Sequence, residues 1–136
     1  MLDLIGASQL SKEAYCIHPI VQDDKAIAAA FEAGSALMRF RISPLALVLA
    51  IEYRWIANSY LSQRRVTDPI QVKLSPRPEV QEMLVADKVQ NRNDFELFHK
   101  GKHPRSKHLI HYFKMWMRVL GVTESKYRQL KRAIQS

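Results

Sequence analysis

The chain has few of the residues that mark disulfide-linked, disordered or membrane-spanning proteins. Its 136 residues include one cysteine, four glycines and six prolines. A lone cysteine cannot form an internal disulfide, so we expect a reducing, cytoplasmic location and Cys16 as a small core residue. The longest apolar run, Leu45 to Ile51, is too short to cross a bilayer, and the first residues lack the basic start and apolar stretch of a signal peptide. We therefore expect no membrane partner.

Acidic residues are scarce only in the C-terminal third of the chain. Residues 1–87 hold nine Lys and Arg against ten Asp and Glu, whereas residues 88–136 hold twelve against three. A segment this basic attracts polyanions, so the expected partner is a nucleotide, a nucleic acid or an acidic protein surface. The alternative is a solvated basic face that serves solubility alone.

The pattern of apolar residues predicts an all-α fold. Hydrophobic residues make up 47% and charged residues 25% of the chain, as in globular domains with a packed core. We expect residues 1–136 to form one compact, single-domain helical bundle of about five helices, with 100–136 as basic C-terminal helices. The predicted helices are 25 to about 33, 44 to about 64, 78 to about 98, 106 to about 120, and a short one after Thr123.

Residues that favour helix ends set these boundaries. Asp23, Ser43, Ser106 and Thr123 are predicted N-caps, and Gly121 is a predicted C-terminal stop. The helix that begins at Pro44 is apolar all round in its first half, which predicts a buried central helix. Residues 70–74 alternate like a strand, but a strand without a partner favours an extended loop.

Two short segments together resemble a known enzyme superfamily. The first is His18-Pro19-Ile20-Val21-Gln22-Asp23-Asp24, and the second is Leu84-Val85-Ala86-Asp87-Lys88-Val89-Gln90-Asn91. Their order and interval are similar to those of HD-domain phosphohydrolases, in particular the alarmone (ppGpp) hydrolase branch. The resemblance covers about residues 15–95 and implies an HD-domain-like helical fold.

The resemblance also implies roles for individual residues. His18 and Asp87 correspond to two of the ligands that hold a divalent metal, usually manganese, in that family. Asp23 and Asn91 correspond to other motif positions and are the candidate catalytic residues. Such a metal activates water against a phosphate ester. We expect His18 and Asp87 to come close together in the fold.

Other positions depart from the family pattern. Pro19 stands where a metal-binding Asp belongs, and its side chain has no donor atom. Gln22 replaces an acid that positions water, and an amide cannot act as a general base. No histidine precedes His18, although the family has a ligand further upstream. We therefore predict a degenerate site that binds an anionic partner without turnover and holds no cofactor.

An active phosphohydrolase is the alternative to this degenerate site. It would use Mn²⁺ with substitute ligands and act on a nucleotide or alarmone. Both predictions stand against plainer interpretations, in which His18 is a structural histidine and Asp87, Asn91 and Asp94 form one solvated polar face of a helix.

The C-terminal cations follow the helical period. Lys107, His111, Lys114 and Arg118 occupy one face of the predicted fourth helix, and we call these four residues the basic stripe. Arg128, Lys131 and Arg132 add a second cluster on the last helix. Such an array can neutralise several phosphates, so the third functional hypothesis is nucleic-acid binding without sequence preference. No motif for reading bases is recognisable, and Tyr112 and Trp116 are predicted core residues.

Overall fold

The computed structural model describes residues 1–32, 35, 39, 42–61 and 72–135. These residues form helices and connecting loops without a strand, which confirms the predicted all-α class. The elements are α1 (Gln9–Ile17), a 3₁₀ turn (His18–Val21), α2 (Asp24–Ala30), α3 (Pro44–Leu61), α4 (Pro78–Asp94), a π-helical turn (Phe95–His99), α5 (Ser106–Val119) and α6 (Glu124–Gln135).

Most of the predicted helix ends are found where the sequence places them. The Asp23 carboxylate accepts a hydrogen bond from the Ala26 backbone N–H at 2.8 Å, and the Thr123 hydroxyl accepts one from Lys126 N–H at 3.2 Å. Gly121 has a φ of 67°, a left-handed conformation that glycine adopts without strain. Residues 33 and 34, which include the predicted end of the second helix, lie outside the described residues.

Helix α1 was not among the predicted helices. Ser8 is its N-cap, and the Ser8 hydroxyl accepts a hydrogen bond from Ser11 N–H at 3.1 Å. The Ser8 backbone N–H also donates to the Glu82 carboxylate on α4 at 3.0 Å. The start of α1 is therefore set by a local N-cap, Ser8, and stabilised by a bond to a glutamate of a distant helix.

The predicted N-cap Ser106 is wrong. The cap position belongs to Arg105, whose side chain makes no capping bond. The Ser106 hydroxyl instead donates to the His99 carbonyl at 3.2 Å and accepts from Gly101 N–H at 3.1 Å. The Ser106 hydroxyl thus bonds backbone groups of the π-helical turn and the loop that follows it, because that loop folds back onto the start of α5.

The central helix is α4 rather than the apolar α3. Helix α4 contacts α1, α3, α5 and α6, and it buries residues on all its faces, including Lys88 and Arg92. In α3 the outer face stays exposed, with Leu45 at 47% and Val48 at 50% of full accessibility. The prediction that α3 is buried all round is therefore wrong, because α1 and α4 cover only its inner face.

Two groups of apolar side chains pack around α4. The larger one joins α3, α4 and α5, and Trp116 at its centre is fully buried. The smaller one packs Val89 of α4 against Tyr127 and Leu130, which fixes α6 against α4. Both groups hold α4 rigidly, so the polar side chains on this helix have well-defined surroundings.

Cys16 and residues 70–74 complete the comparison with the predictions. Cys16 is exposed, so its assignment as a core residue is wrong; it lies on the outer face of α1. Residues 72–74 are neither helix nor strand, and residues 70 and 71 lie outside the described part of the chain.

Candidate functional site

A small polar cleft brings the two motif segments together. It has a volume of about 150 Å³ and lies where the 3₁₀ turn, α3 and α4 meet. His18 lines it from the 3₁₀ turn, and Asp87 and Asn91 line it from α4. Three of the four candidate residues taken from the motifs thus share one cavity, although 69 positions separate His18 from Asp87.

The imidazole of His18 is held in one orientation. Its Nδ1 lies at hydrogen-bond distance from the Tyr15 carbonyl oxygen. A carbonyl only accepts, so Nδ1 carries the proton and Nε2 of the neutral ring has the free lone pair. The ring packs edge-on against Tyr53 with centroids 5.3 Å apart, and it lies 4.6 Å from the Tyr15 ring. The hydrogen bond and the two aromatic contacts therefore fix the orientation of the His18 ring.

The carboxylate of Asp87 is held by its own helix. Asn91 Nδ2 donates to Oδ1 at 2.9 Å, and the Lys88 ammonium lies 2.9 Å from Oδ2. The Asp87 side chain is 16% exposed, whereas that of Lys88 is 2% exposed. Both carboxylate oxygens thus have a protein partner, and one of these partners is a fully buried cation.

Burial and Asp87 shape the titration of the surrounding side chains. Burial has the largest single effect on Lys88 and lowers its pKa, but the charge of Asp87, the influence of Tyr112 and their hydrogen bonds together outweigh burial and raise that pKa above its usual value. The Lys88 ammonium also lies 5.0 Å from the Trp116 ring centre and 5.9 Å from that of Tyr112. Burial, with the charge of Asp87 added, raises the pKa of Tyr53 well above the usual range. At neutral pH the site therefore holds a charged lysine and a protonated tyrosine.

Gln22 and Asp23 have structural partners beside the cleft. The Gln22 carbonyl accepts hydrogen bonds from Arg54 Nε at 3.1 Å and Asn58 Nδ2 at 3.2 Å, and these join the 3₁₀ turn to α3. Arg54 also forms an ion pair with Asp24. The candidate catalytic residue Asp23 does not line the cleft, because its carboxylate caps α2.

The donors at the cleft do not fit the manganese site that the resemblance implies. Asp87 Oδ2 faces an ammonium group, which repels a metal ion, and Pro19 has no donor. Among the described residues, no three His, Cys, Asp or Glu side chains come together as such a site requires. The cleft is instead a polar pocket whose lining includes the carboxylate of Asp87 and the guanidinium of Arg54.

The basic stripe is fully on the surface. Its four side chains on α5 are exposed, while Tyr112, Phe113 and Trp116 on the opposite face are buried, as predicted. Within the described residues, the stripe side chains form no ion pair or hydrogen bond. Their charge is therefore available to a partner.

The second basic cluster divides into two exposed residues and one paired residue. Arg128 and Arg132 are exposed along α6. Lys131 is half-buried, and its ammonium lies 2.8 Å from the Glu96 carboxylate. The same glutamate bonds Arg92 at 3.0 Å, so Lys131 belongs to an internal network and is a poor candidate for binding a partner.

Arg92 is the centre of that internal network. Its guanidinium makes a two-pronged bond to the Glu124 carboxylate at 2.7 and 2.9 Å, and it lies 3.8 Å from the Tyr127 ring centre. The Arg92 side chain is 9% exposed. Fork-shaped pairs of this kind combine strength with fixed geometry, so Arg92 fixes α6 to α4.

A crevice of about 110 Å³ lies between the π-helical turn and α5. Phe95 and Phe113 form its apolar wall, with ring centres 5.4 Å apart. Lys100 and Lys114 also line it, and both are exposed. The crevice thus places a cation from the loop beside a cation of the basic stripe.

The sequence did not indicate Lys88, Arg92, Tyr53 or Arg54 as site residues. Arg92 and Glu96 are four positions apart, which is a usable signal for a helical ion pair. The partner of Arg92 across the fold, Glu124, is 32 positions away, and the burial of Lys88 depends on aromatic rings of α5. Neither contact leaves a local pattern.

Comparison with known proteins adds no relative. No protein-family model matches the chain, and neither a curated protein nor a solved structure is significantly similar to it. None of the helices in the described part is both long and apolar enough to span a membrane.

Proposed function

We propose that this chain binds the phosphate backbone of nucleic acid through the basic stripe of α5, with Arg128 and Arg132 of α6 contributing. The observation that carries the proposal is the difference between its buried and exposed cations. Lys88 and Arg92 are buried and paired, whereas the stripe is exposed and has no internal partner among the described residues. Residues 97–136 contain ten Lys and Arg but only one acidic residue, Glu124. The positive charge of this segment is therefore not balanced by acidic residues within it.

The length of the stripe suits a phosphate backbone. From Lys107 to Arg118 the helix rises about 16 Å, which is long enough for the stripe to face several phosphates of a nucleic-acid backbone. Contacts to phosphates carry no sequence information. We therefore expect binding that is indifferent to sequence and strongly dependent on salt.

A titration of labelled DNA and RNA at about 50 and 200 mM salt tests the proposal. If about four phosphates are neutralised, affinity should fall roughly 100-fold between these concentrations. The variant Lys114→Glu/Arg118→Glu should nearly abolish binding. Its matched control is Lys25→Glu/Arg39→Glu, which changes two exposed cations elsewhere and lowers the net charge equally.

Three outcomes would contradict this function. The first is the absence of binding at low salt, the second is binding that the stripe variant does not weaken, and the third is binding that both variants weaken equally. In the first case the stripe would be a solubility feature or a docking surface for an acidic protein. In the third, overall charge rather than the stripe would determine affinity.

A second candidate function is nucleotide binding at the cleft, as the HD-domain resemblance implies. The observation that favours it is the shared lining by His18, Asp87 and Asn91. At about 150 Å³ the cleft is smaller than typical ligand pockets of about 300 Å³ or more, so it suits a phosphate group better than a whole nucleotide.

Calorimetric titration with ppGpp, GTP and inorganic phosphate tests this second function. Binding should disappear in His18→Ala/Asn91→Ala and persist in the stripe variant; equal affinity in all three proteins would refute this site.

A further inference from the structure

Two apolar side chains are exposed on the π-helical turn. Leu97 is 49% and Phe98 is 62% exposed, although the first residue of the same turn, Phe95, is buried. Phe95 packs against Phe113 of α5, and Lys100 N–H donates to the Phe95 carbonyl at 2.8 Å, which closes the turn. The turn is thus anchored at Phe95 and directs Phe98 to the surface. Single π-helical turns occur often at functional sites.

Exposed cations follow this aromatic residue closely in the chain. Lys100 follows two positions after Phe98 and lines the crevice together with Lys114 and Phe95. Glu96 also lines this crevice, but its carboxylate is paired with Arg92 and Lys131. Lys102 and Arg105 are exposed in the next loop. Within the described residues, none of these exposed cations forms an ion pair. An exposed ring followed by exposed cations complements a ligand that has both a flat apolar face and a negative charge.

We infer that the π-helical turn is a binding site for an unpaired nucleotide of single-stranded nucleic acid. The base stacks on Phe98, and Lys100 and Lys114 hold the adjacent phosphates. In a duplex the faces of the bases are covered by their neighbours, so only a single strand offers a base for stacking. Stacking on an aromatic side chain tolerates any base because every base has a π-face. The inference rests on the proposed function and specifies its ligand class.

The test compares Phe98→Ala with Phe31→Ala. Both side chains are exposed phenylalanines, at 62% and 57%, but Phe31 lies at the end of α2, outside the basic segment. The probes are a labelled single strand of about 15 nucleotides, as DNA and as RNA, and a DNA duplex of the same sequence; this length covers known single-strand sites. Loss of one stacked base should weaken single-strand binding about tenfold or more.

We expect Phe98→Ala to weaken binding of one or both single strands and to leave duplex binding unchanged. Phe31→Ala should bind all three probes like the unaltered protein, and Phe98→Trp should restore or strengthen single-strand binding. An unchanged single-strand affinity in Phe98→Ala, or an equal loss for duplex and single strand, would overturn the inference. The proposed function would still stand if Lys114→Glu/Arg118→Glu abolished binding in the same assay, whereas both would fail if the unaltered protein bound no probe.

Discussion

Replacement of Lys88 by methionine tests the electrostatic core of the cleft. The Lys88 side chain is 2% exposed, its ammonium lies 2.9 Å from Asp87 Oδ2, and it faces the Trp116 ring at 5.0 Å. Methionine has a similar length and flexibility, so the packing against Trp116 is largely kept. The change therefore removes the charge and leaves a carboxylate without its cation.

The size of the effect follows from the exposure of the two partners. Removal of one member of a buried ion pair costs about 3–5 kcal/mol. Asp87 keeps its bond from Asn91 and is 16% exposed, so we expect about 3 kcal/mol for Lys88→Met, the lower end of that range. Asp87→Asn leaves the ammonium without a carboxylate at 2% exposure, and about 5 kcal/mol is expected.

Urea unfolding of the two single variants and the double variant measures these values. The double variant Asp87→Asn/Lys88→Met contains neither charge. Its loss of unfolding free energy should therefore be smaller than the sum of the two single losses by several kcal/mol, on the order of the cost of breaking a buried ion pair. The slope of the unfolding curve should stay the same. Single losses below about 1 kcal/mol, or strict additivity, would refute the claim that a buried pair holds this site.

Three further predictions concern pH and metal. Burial, with the charge of Asp87 added, raises the pKa of Tyr53, and burial raises that of Tyr15 to about 12. The stabilisation from these tyrosines should therefore be fully present below pH of about 10 and be lost as the pH rises further. The free energy of unfolding should fall less steeply in Tyr53→Phe, and identical pH profiles of the two proteins would contradict this. Hydrogen bonds from Arg92 lower the pKa of Glu124, so its stabilisation should be present above pH of about 4.3 and be lost as pH falls, with a smaller acid loss in Glu124→Gln. After dialysis against Mn²⁺ the protein should retain no stoichiometric metal by elemental analysis and release no phosphate from ppGpp; manganese-dependent release that Asp87→Ala abolishes would show the opposite.

The helix boundaries that depend on neighbouring residues were predictable from the sequence. Asp23 and Thr123 cap helices through bonds to backbone groups three residues away, and Gly121 supplies a conformation that few residues adopt. These contacts are local, so the residue type is enough to predict them. Ser106 shows the limit, because a more distant carbonyl, that of His99, competes for the same hydroxyl.

The identity of the central helix was not predictable in the same way. Helix α4 carries Lys88 and Arg92 on buried faces, and such residues normally indicate a solvated surface. Their burial is tolerated because Asp87 pairs the first and Glu124, from α6, pairs the second. Leu45 and Val48 show the reverse case, as apolar residues of α3 that no described helix covers. Hydropathy along one helix does not contain the information about which other helices surround it.

The cleft was predictable from the sequence in one respect and not in another. The interval between the motifs predicted that His18 and Asp87 approach each other, and both line the cleft. What the motifs did not reveal is that Lys88 supplies a positive charge at Asp87 Oδ2. The Lys88 ammonium therefore supplies the countercharge that stabilises the Asp87 carboxylate at the edge of the cleft.

The cations of the molecule therefore have two separable roles. Lys88, Arg92 and Lys131 are bonded to carboxylates inside the fold, and their removal should destabilise the protein. Lys114 and Arg118 are exposed and have no such partner in the part of the chain that the structure describes. Their reversal to glutamate should therefore change the free energy of unfolding by no more than about 0.5 kcal/mol per site. A loss of nucleic-acid binding in a variant that unfolds at the same urea concentration would assign these exposed cations to the partner. A parallel loss of stability and binding would instead mean that α5 needs them to fold.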